Sequence, residues 1–125
     1  MQFKKPQSNY PEIKDIDLDE FQRLSQEAND KELAWAKIAQ ELSALECTKK
    51  ERFATICSIY YTNCKSNAET ERAALSDAQW SDFLRGFKEI QSKEILAKAE
   101  KNVAVRNWES ARTVISLKKQ ELNRL

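Results

Sequence analysis

Histidine is missing from all 125 residues, and glycine occurs once, at Gly86. Without histidine the chain lacks the commonest general base and metal ligand near neutral pH. A glycine-rich phosphate loop and a Cys-x-x-Cys pair are also missing, and both absences bear on the standard nucleotide and zinc sites. Pro6 and Pro11 are the only prolines and lie near the start. The residues that build tight turns and sheet corners are therefore scarce, and an all-α chain is expected. No run of about 18 apolar residues exists to span a bilayer. The opening MQFKKPQSNYPEIKD is basic in places but has no apolar signal-peptide core, so an intracellular, cytoplasmic protein is expected. Cys47, Cys57 and Cys64 are odd in number, and with no sign of export, free thiols are the expectation rather than a disulfide framework.

What is present fits one globular domain, with 41% hydrophobic and 33% charged residues. The formal net charge of +1 conceals an acidic front and a basic back: residues 1–48 carry −4, 49–76 carry +2 and 77–125 carry +3. The two ends would attract each other inside one bundle or across a dimer. A charge of +3 is too weak to announce nucleic acid as the partner.

The strongest organising feature is the stretch from Asp77 to Leu125. Alternating steps of three and four run through Trp80, Phe83, Phe87, Ile90, Glu94, Ala97, Lys101, Ala104, Trp108, Ala111, Ile115, Lys118, Leu122 and Leu125, and eleven of these fourteen are apolar. That repeat makes one seam along a helix of coiled-coil character. Ser76 with Gln79, and Asp77 in the first turn, mark the start of this helix. Gly86 costs only about 1 kcal/mol relative to alanine, which burial of its neighbours offsets. Such a helix is roughly 70 Å long, whereas a compact domain of this size has a radius of gyration of about 14 Å. It must bend, or project and pair with another copy or another protein. Leu96, Ala99, Val103, Val114 and Leu117 lie off the main seam, which asks for more than one neighbour.

Upstream, a first helix is expected from an N-cap at Asp15 or Asp17, with the seam Phe21, Leu24, Ala28, Lys31, Trp35, Ile38, Leu42 and Leu45. Thr48 and Glu51 stand at capping-box spacing, which predicts a second helix with the face Phe53, Ile56, Cys57, Tyr60, Tyr61, Cys64 and Ala68. Neither Gly nor Pro forces a break there, so a fused helix is the alternative. The expected layout is an extended arm over 1–16, then one helical domain over 17–125 with helices about 17–46, 49–75 and 77–124. The fold class is an elongated three-helix bundle with a long C-terminal helix, and a homodimer through part of that helix is expected.

Catalysis finds little support. Glu69 with Glu71, or Asp77 with Asp82, could hold a hard cation, but carboxylates at helix starts are far more often caps. Cys57 and Cys64, seven apart on one helix, would share a face, where packing is the ordinary role of free cysteine. A non-enzyme with no cofactor and no metal is expected. The candidate partner-binding residues are Arg106, Trp108, Arg112, Ile115, Lys118 and Lys119, in the distal half of the long helix where a core runs out. An aromatic residue among basic ones suits a protein interface and also base stacking with phosphate contact. The protein interface is favoured, because Glu109 and Glu121 interleave.

From about Glu69 onward the chain resembles a loosely defined group of small helical proteins encoded by phages and prophages. The matching features are Glu71-Arg72-Ala73-Ala74-Leu75, Ser76-Asp77-Ala78-Gln79-Trp80, Leu84 and the Ala-rich region from Ala97 to Ala104. They continue with Trp108-Glu109-Ser110-Ala111-Arg112 and Ile115-Ser116-Leu117. Genes of that group often stand beside phage recombination genes. The resemblance therefore implies an accessory, protein-binding role in phage DNA recombination or replication, inside a bacterial host cell. Inhibition of a host defence complex such as CRISPR, or weak DNA binding through the basic half, are the alternatives.

Overall fold

The computed structural model describes residues 17–124; the arm expected over 1–16, and Leu125, lie outside the described residues. The chain folds as α1 (Leu18–Tyr60), a single 3-10 turn (Tyr61–Asn63), α2 (Asn67–Leu75) and α3 (Ala78–Arg124), with no strand among the described residues. It is an elongated helical bundle in which two long helices run antiparallel and a short one fills the corner where they join.

Helix α1 starts where a carboxylate is available to an orphan amide: the Glu20 amide donates to Asp17 Oδ1 at 2.7 Å. Asp19 and Glu20 add negative charge to its first turn. The helix then continues through the break expected near residue 47. Thr48 does not cap a new helix; its hydroxyl donates back to the Leu45 carbonyl at 3.1 Å. The physical reason is phase. The seam carries on from Leu45 through Lys49, Phe53, Ile56 and Tyr60 in steps of three or four, with one extra step of four at Phe53, and all of these are half-buried or buried. Packing against a partner helix thus outweighs a local capping signal.

The true break falls at 61–66. Cys64 adopts an extended backbone, and Ser66 caps α2 by accepting from the Glu69 amide at 3.2 Å. The Glu69 carboxylate accepts in turn from the Lys65 amide at 3.1 Å. Cys57 and Cys64 therefore do not share a helical face. Cys57 and Cys64 are half-buried, Cys47 is exposed, and all three are free thiols. Helix α3 begins one residue later than expected, because Ser76 closes α2 and Asp77 performs the capping, accepting from the Gln79 amide at 2.7 Å.

The register of the long pair is fixed by contacts along its length. Phe21 meets Trp108, Lys31 meets Glu100, Trp35 meets Glu94, Lys49 lies over Phe87, and Phe53 packs on Trp80. All eight expected α1 seam residues are buried or half-buried, and so are the α3 seam positions from Trp80 to Lys118. Helix α3 is 47 residues long and α1 is 43, about 70 and 65 Å at 1.5 Å per residue. The long helix thus neither bends back nor stands alone. Its neighbour is nearly as long, and the molecule is rod-like rather than compact. Gly86 leaves α3 unbroken, with negative φ.

The densest packing sits at the joined end. Ile56, Ala74 and Trp80 form the buried cluster, with Phe53, Cys57, Tyr60, Phe83 and Leu84 against it. The Trp80 ring lies 4.9 Å from Phe53 and 5.5 Å from Phe83 between centroids, distances at which aromatic pairs add stability beyond burial. The Tyr60 hydroxyl donates to Asp77 Oδ2, tying the last turn of α1 to the cap of α3. That bond holds the Tyr60 hydroxyl above its usual range, and together with the Gln79 amide it holds the Asp77 carboxyl below its own.

Candidate protein-docking site at the distal end of α3

Away from the joined end the seam changes character. Between Ile90 and Trp108 the α3 positions facing α1 are Glu94, Ala97, Lys101 and Ala104, small or charged residues that bury less apolar surface. The charged ones are organised around Trp35. Its indole Nε1 donates to Glu94 Oε1 at 2.9 Å, and Lys101 Nζ sits 4.2 Å from the ring centroid. One turn away, Lys31 Nζ is 3.4 Å from Glu100 Oε2. All three contacts join α1 to α3; the Lys31–Glu100 pair, being exposed, adds little by itself, whereas the Trp35–Glu94 bond is partly buried.

Beyond them lies Trp108. It is half-buried, with its ring 6.5 Å from that of Phe21 and tilted by 30°. The Arg112 guanidinium stands 5.0 Å from the Trp108 ring centroid, a cation–π distance. The indole Nε1 is shielded from solvent, yet no acceptor among the described residues reaches it. A shielded N–H without an acceptor costs about 1–3 kcal/mol, so it marks a place where a further group would stabilise the site.

Among the six candidate residues, Trp108 and Arg112 are in direct contact. Ile115 and Lys119 follow them on the same helical face by spacing; Ile115 is half-buried and Lys119 exposed. Lys118 is half-buried on the flank of that face. Arg106 is placed elsewhere: it is exposed on the opposite side of α3, with its Nε donating to the Asn102 carbonyl at 3.4 Å. Phe21 was not foreseen at this site, although its place in the α1 seam was, because heptad spacing within a helix does not reveal register between helices. Chemically the site offers an aromatic ring, a guanidinium and a shielded indole N–H.

Among the described residues, no group of three or more His, Cys, Asp or Glu side chains is placed to hold a metal ion, and no helix is long and apolar enough to cross a membrane. Three of the four carboxylates weighed as cation ligands have other engagements, and Glu71 is exposed. Glu69 and Asp77 serve caps, and Asp82 lies 3.6 Å from Arg85. No family model matches the chain, and no curated protein or solved structure matches it significantly.

Proposed function

We propose that this is a non-catalytic, phage-type accessory protein that binds another protein during phage DNA recombination or replication, in the cytoplasm of the bacterial host and as a homodimer. The observation that carries the protein-binding part is the distal site. A half-buried tryptophan, capped by an arginine and holding a shielded donor without an acceptor, has the composition of an interface hot spot. The recombination setting follows from the resemblance of the C-terminal half. Affinity capture from infected cells tests the reading. The full chain should co-purify with a recombinase or a single-strand-binding protein. Trp108→Ala should weaken that association about 30-fold or more, the scale of a lost hot spot. Capture of no recombination or replication protein would count against it.

A second reading has its own support. The exposed residues of α1 between 19 and 46 include seven acids, Asp19, Glu20, Glu27, Asp30, Glu32, Glu41 and Glu46, against two bases, Arg23 and Lys37, a predominantly acidic surface. Such a surface complements the basic channel of a nucleic-acid-handling defence complex, so the chain would act by blocking it. Co-purification with a nuclease or a CRISPR complex, reversed at high salt, supports this reading over the first.

A further inference from the structure

Helix α3 carries a second apolar stripe, turned away from α1. Leu96 is 62% exposed and Val103 49%, with exposed Ala99 between them and Ile95 beside them. At 100° per residue, Leu96, Ala99 and Val103 fall within about 60° of one another and roughly 150° from the seam that meets α1. The matching outer face of α1 differs. Gln26, Asp30, Lys37, Gln40 and Glu51 are exposed there, and Leu33 is the one large apolar residue among them. Along the middle of the rod the apolar stripe thus lies on α3, while exposed Leu18, Ile59, Tyr61 and Leu75 lie toward the ends of the molecule.

Surface area says how much more the chain has to cover. It exposes 10606 Å², against about 6,900 Å² for a compact monomer of 14.5 kDa. Setting aside roughly 3,000 Å² for the residues outside 17–124 leaves about 7,600 Å², against roughly 6,200 Å² for a compact domain of the described residues alone, a surplus of about 1,400 Å². A stable interface buries about 1,200–2,000 Å² in total, so the surplus is of the size that one association would remove.

We propose that the Leu96–Ala99–Val103 stripe is the homodimer face, on which α3 packs antiparallel against α3 of a second copy about a two-fold axis near Ala99. The proposal rests on the homodimer reading above and assigns its surface, leaving the Trp108 end to the other protein. A two-fold axis requires a self-complementary patch, and the stripe is one. Leu96 comes opposite the partner's Val103, and Ala99 meets its own counterpart, where a small residue permits close approach. Lys88 comes near the partner's Glu109, an attraction that occurs twice. The acid nearest the axis, Glu100, is turned aside toward Lys31, 3.4 Å away.

Light scattering on the eluting full-length chain at tens of micromolar reads the result as a mass. The wild type should give twice 14.5 kDa. Leu96→Glu and Val103→Glu should halve that mass while keeping the helical circular dichroism, since both positions are exposed. Leu33→Glu, on the outer face of α1, should leave the dimer intact. A wild type that is monomeric at every concentration overturns the proposal, as does a Leu96→Glu chain that stays dimeric. Dimerisation lost on Trp108→Ala but not on Leu96→Glu also overturns it, by moving the interface to the distal end. A monomeric wild type whose stripe is protected from hydrogen exchange only by a foreign protein overturns it as well. A dimer broken as predicted that still captures no recombination or replication protein supports this face and counts only against the accessory role.

Discussion

Replacing Glu94 with Ala asks whether the charged positions in the seam hold the two long helices in register. Glu94 Oε1 accepts the Trp35 indole N–H at 2.9 Å in a half-buried position. A hydrogen bond to a charged group contributes about 1.5–3 kcal/mol, and losing it leaves the indole N–H without its acceptor. Partial exposure lets water replace some of that bond, so about 1–2 kcal/mol is the expected cost. Lys101, 4.2 Å from the Trp35 ring centroid, adds a cation–π attraction of about 0.5–1 kcal/mol that the Glu94 change does not remove. The melting temperature should fall by about 4 °C per kcal/mol for a chain of this size, hence by about 4–8 °C. Glu94→Gln keeps an acceptor and should recover at least half of the loss. Urea unfolding followed by circular dichroism gives the free energies, and a double-mutant cycle with Trp35→Phe isolates the pair. A coupling energy of at least about 0.5 kcal/mol is predicted. A coupling near zero would refute the reasoning, because the bond would then contribute nothing to the pairing of α1 with α3.

Gly86→Ala should stabilise the protein by about 0.5–1 kcal/mol in the same assay, since an added Cβ meets nothing within 4 Å and the backbone is already helical; a loss of stability would show α3 to be distorted there. Ile56→Ala should cost about 2–5 kcal/mol, because Ile56 is 1% exposed at the centre of the joined end; a cost under about 1 kcal/mol would mean the cluster is loosely packed. For pH, the sign follows from Asp77. The Tyr60 hydroxyl and the Gln79 amide lower its folded pKa below 3.8. The stabilisation is therefore present above the unfolded value, near 4, and is lost as pH falls through the lower folded value. Asp77→Asn should show a shallower fall in urea midpoint between pH 5 and pH 2 than the wild type, and identical slopes would contradict the assignment.

The periodic part of the fold was legible from residue spacing. Every described position of both seams except Leu122, which is 69% exposed, came out at least half-buried, because a 3,4 repeat has one geometric solution on a helix. Boundaries were less legible. Thr48 with Glu51 and Ser66 with Glu69 have the same spacing, and only the second works as a cap, because the first lies where the seam continues against α3. The meaning of the polar seam positions was hidden for a related reason. Spacing alone counts Glu94 and Lys101 only as non-apolar seam positions; the structure places Trp35 of α1 between them. At the distal site, helical spacing places Trp108, Arg112, Ile115 and Lys119 on one face and Arg106 off it. That Phe21 packs on Trp108 depends on how two helices 87 residues apart in the chain align, which no local pattern records.

Both the distal docking site and the proposed dimer face depend on α1 and α3 pairing antiparallel in this register. A zero-length carbodiimide cross-link between lysine and carboxylate, mapped by peptide mass spectrometry on an isotopically mixed sample, tests that pairing most directly. Lys31 should be joined to Glu100 within one chain, as their 3.4 Å separation requires. Cross-links from Lys31 to Asp82 or Glu89 in place of Glu100 would contradict the hairpin and the two surfaces built on it.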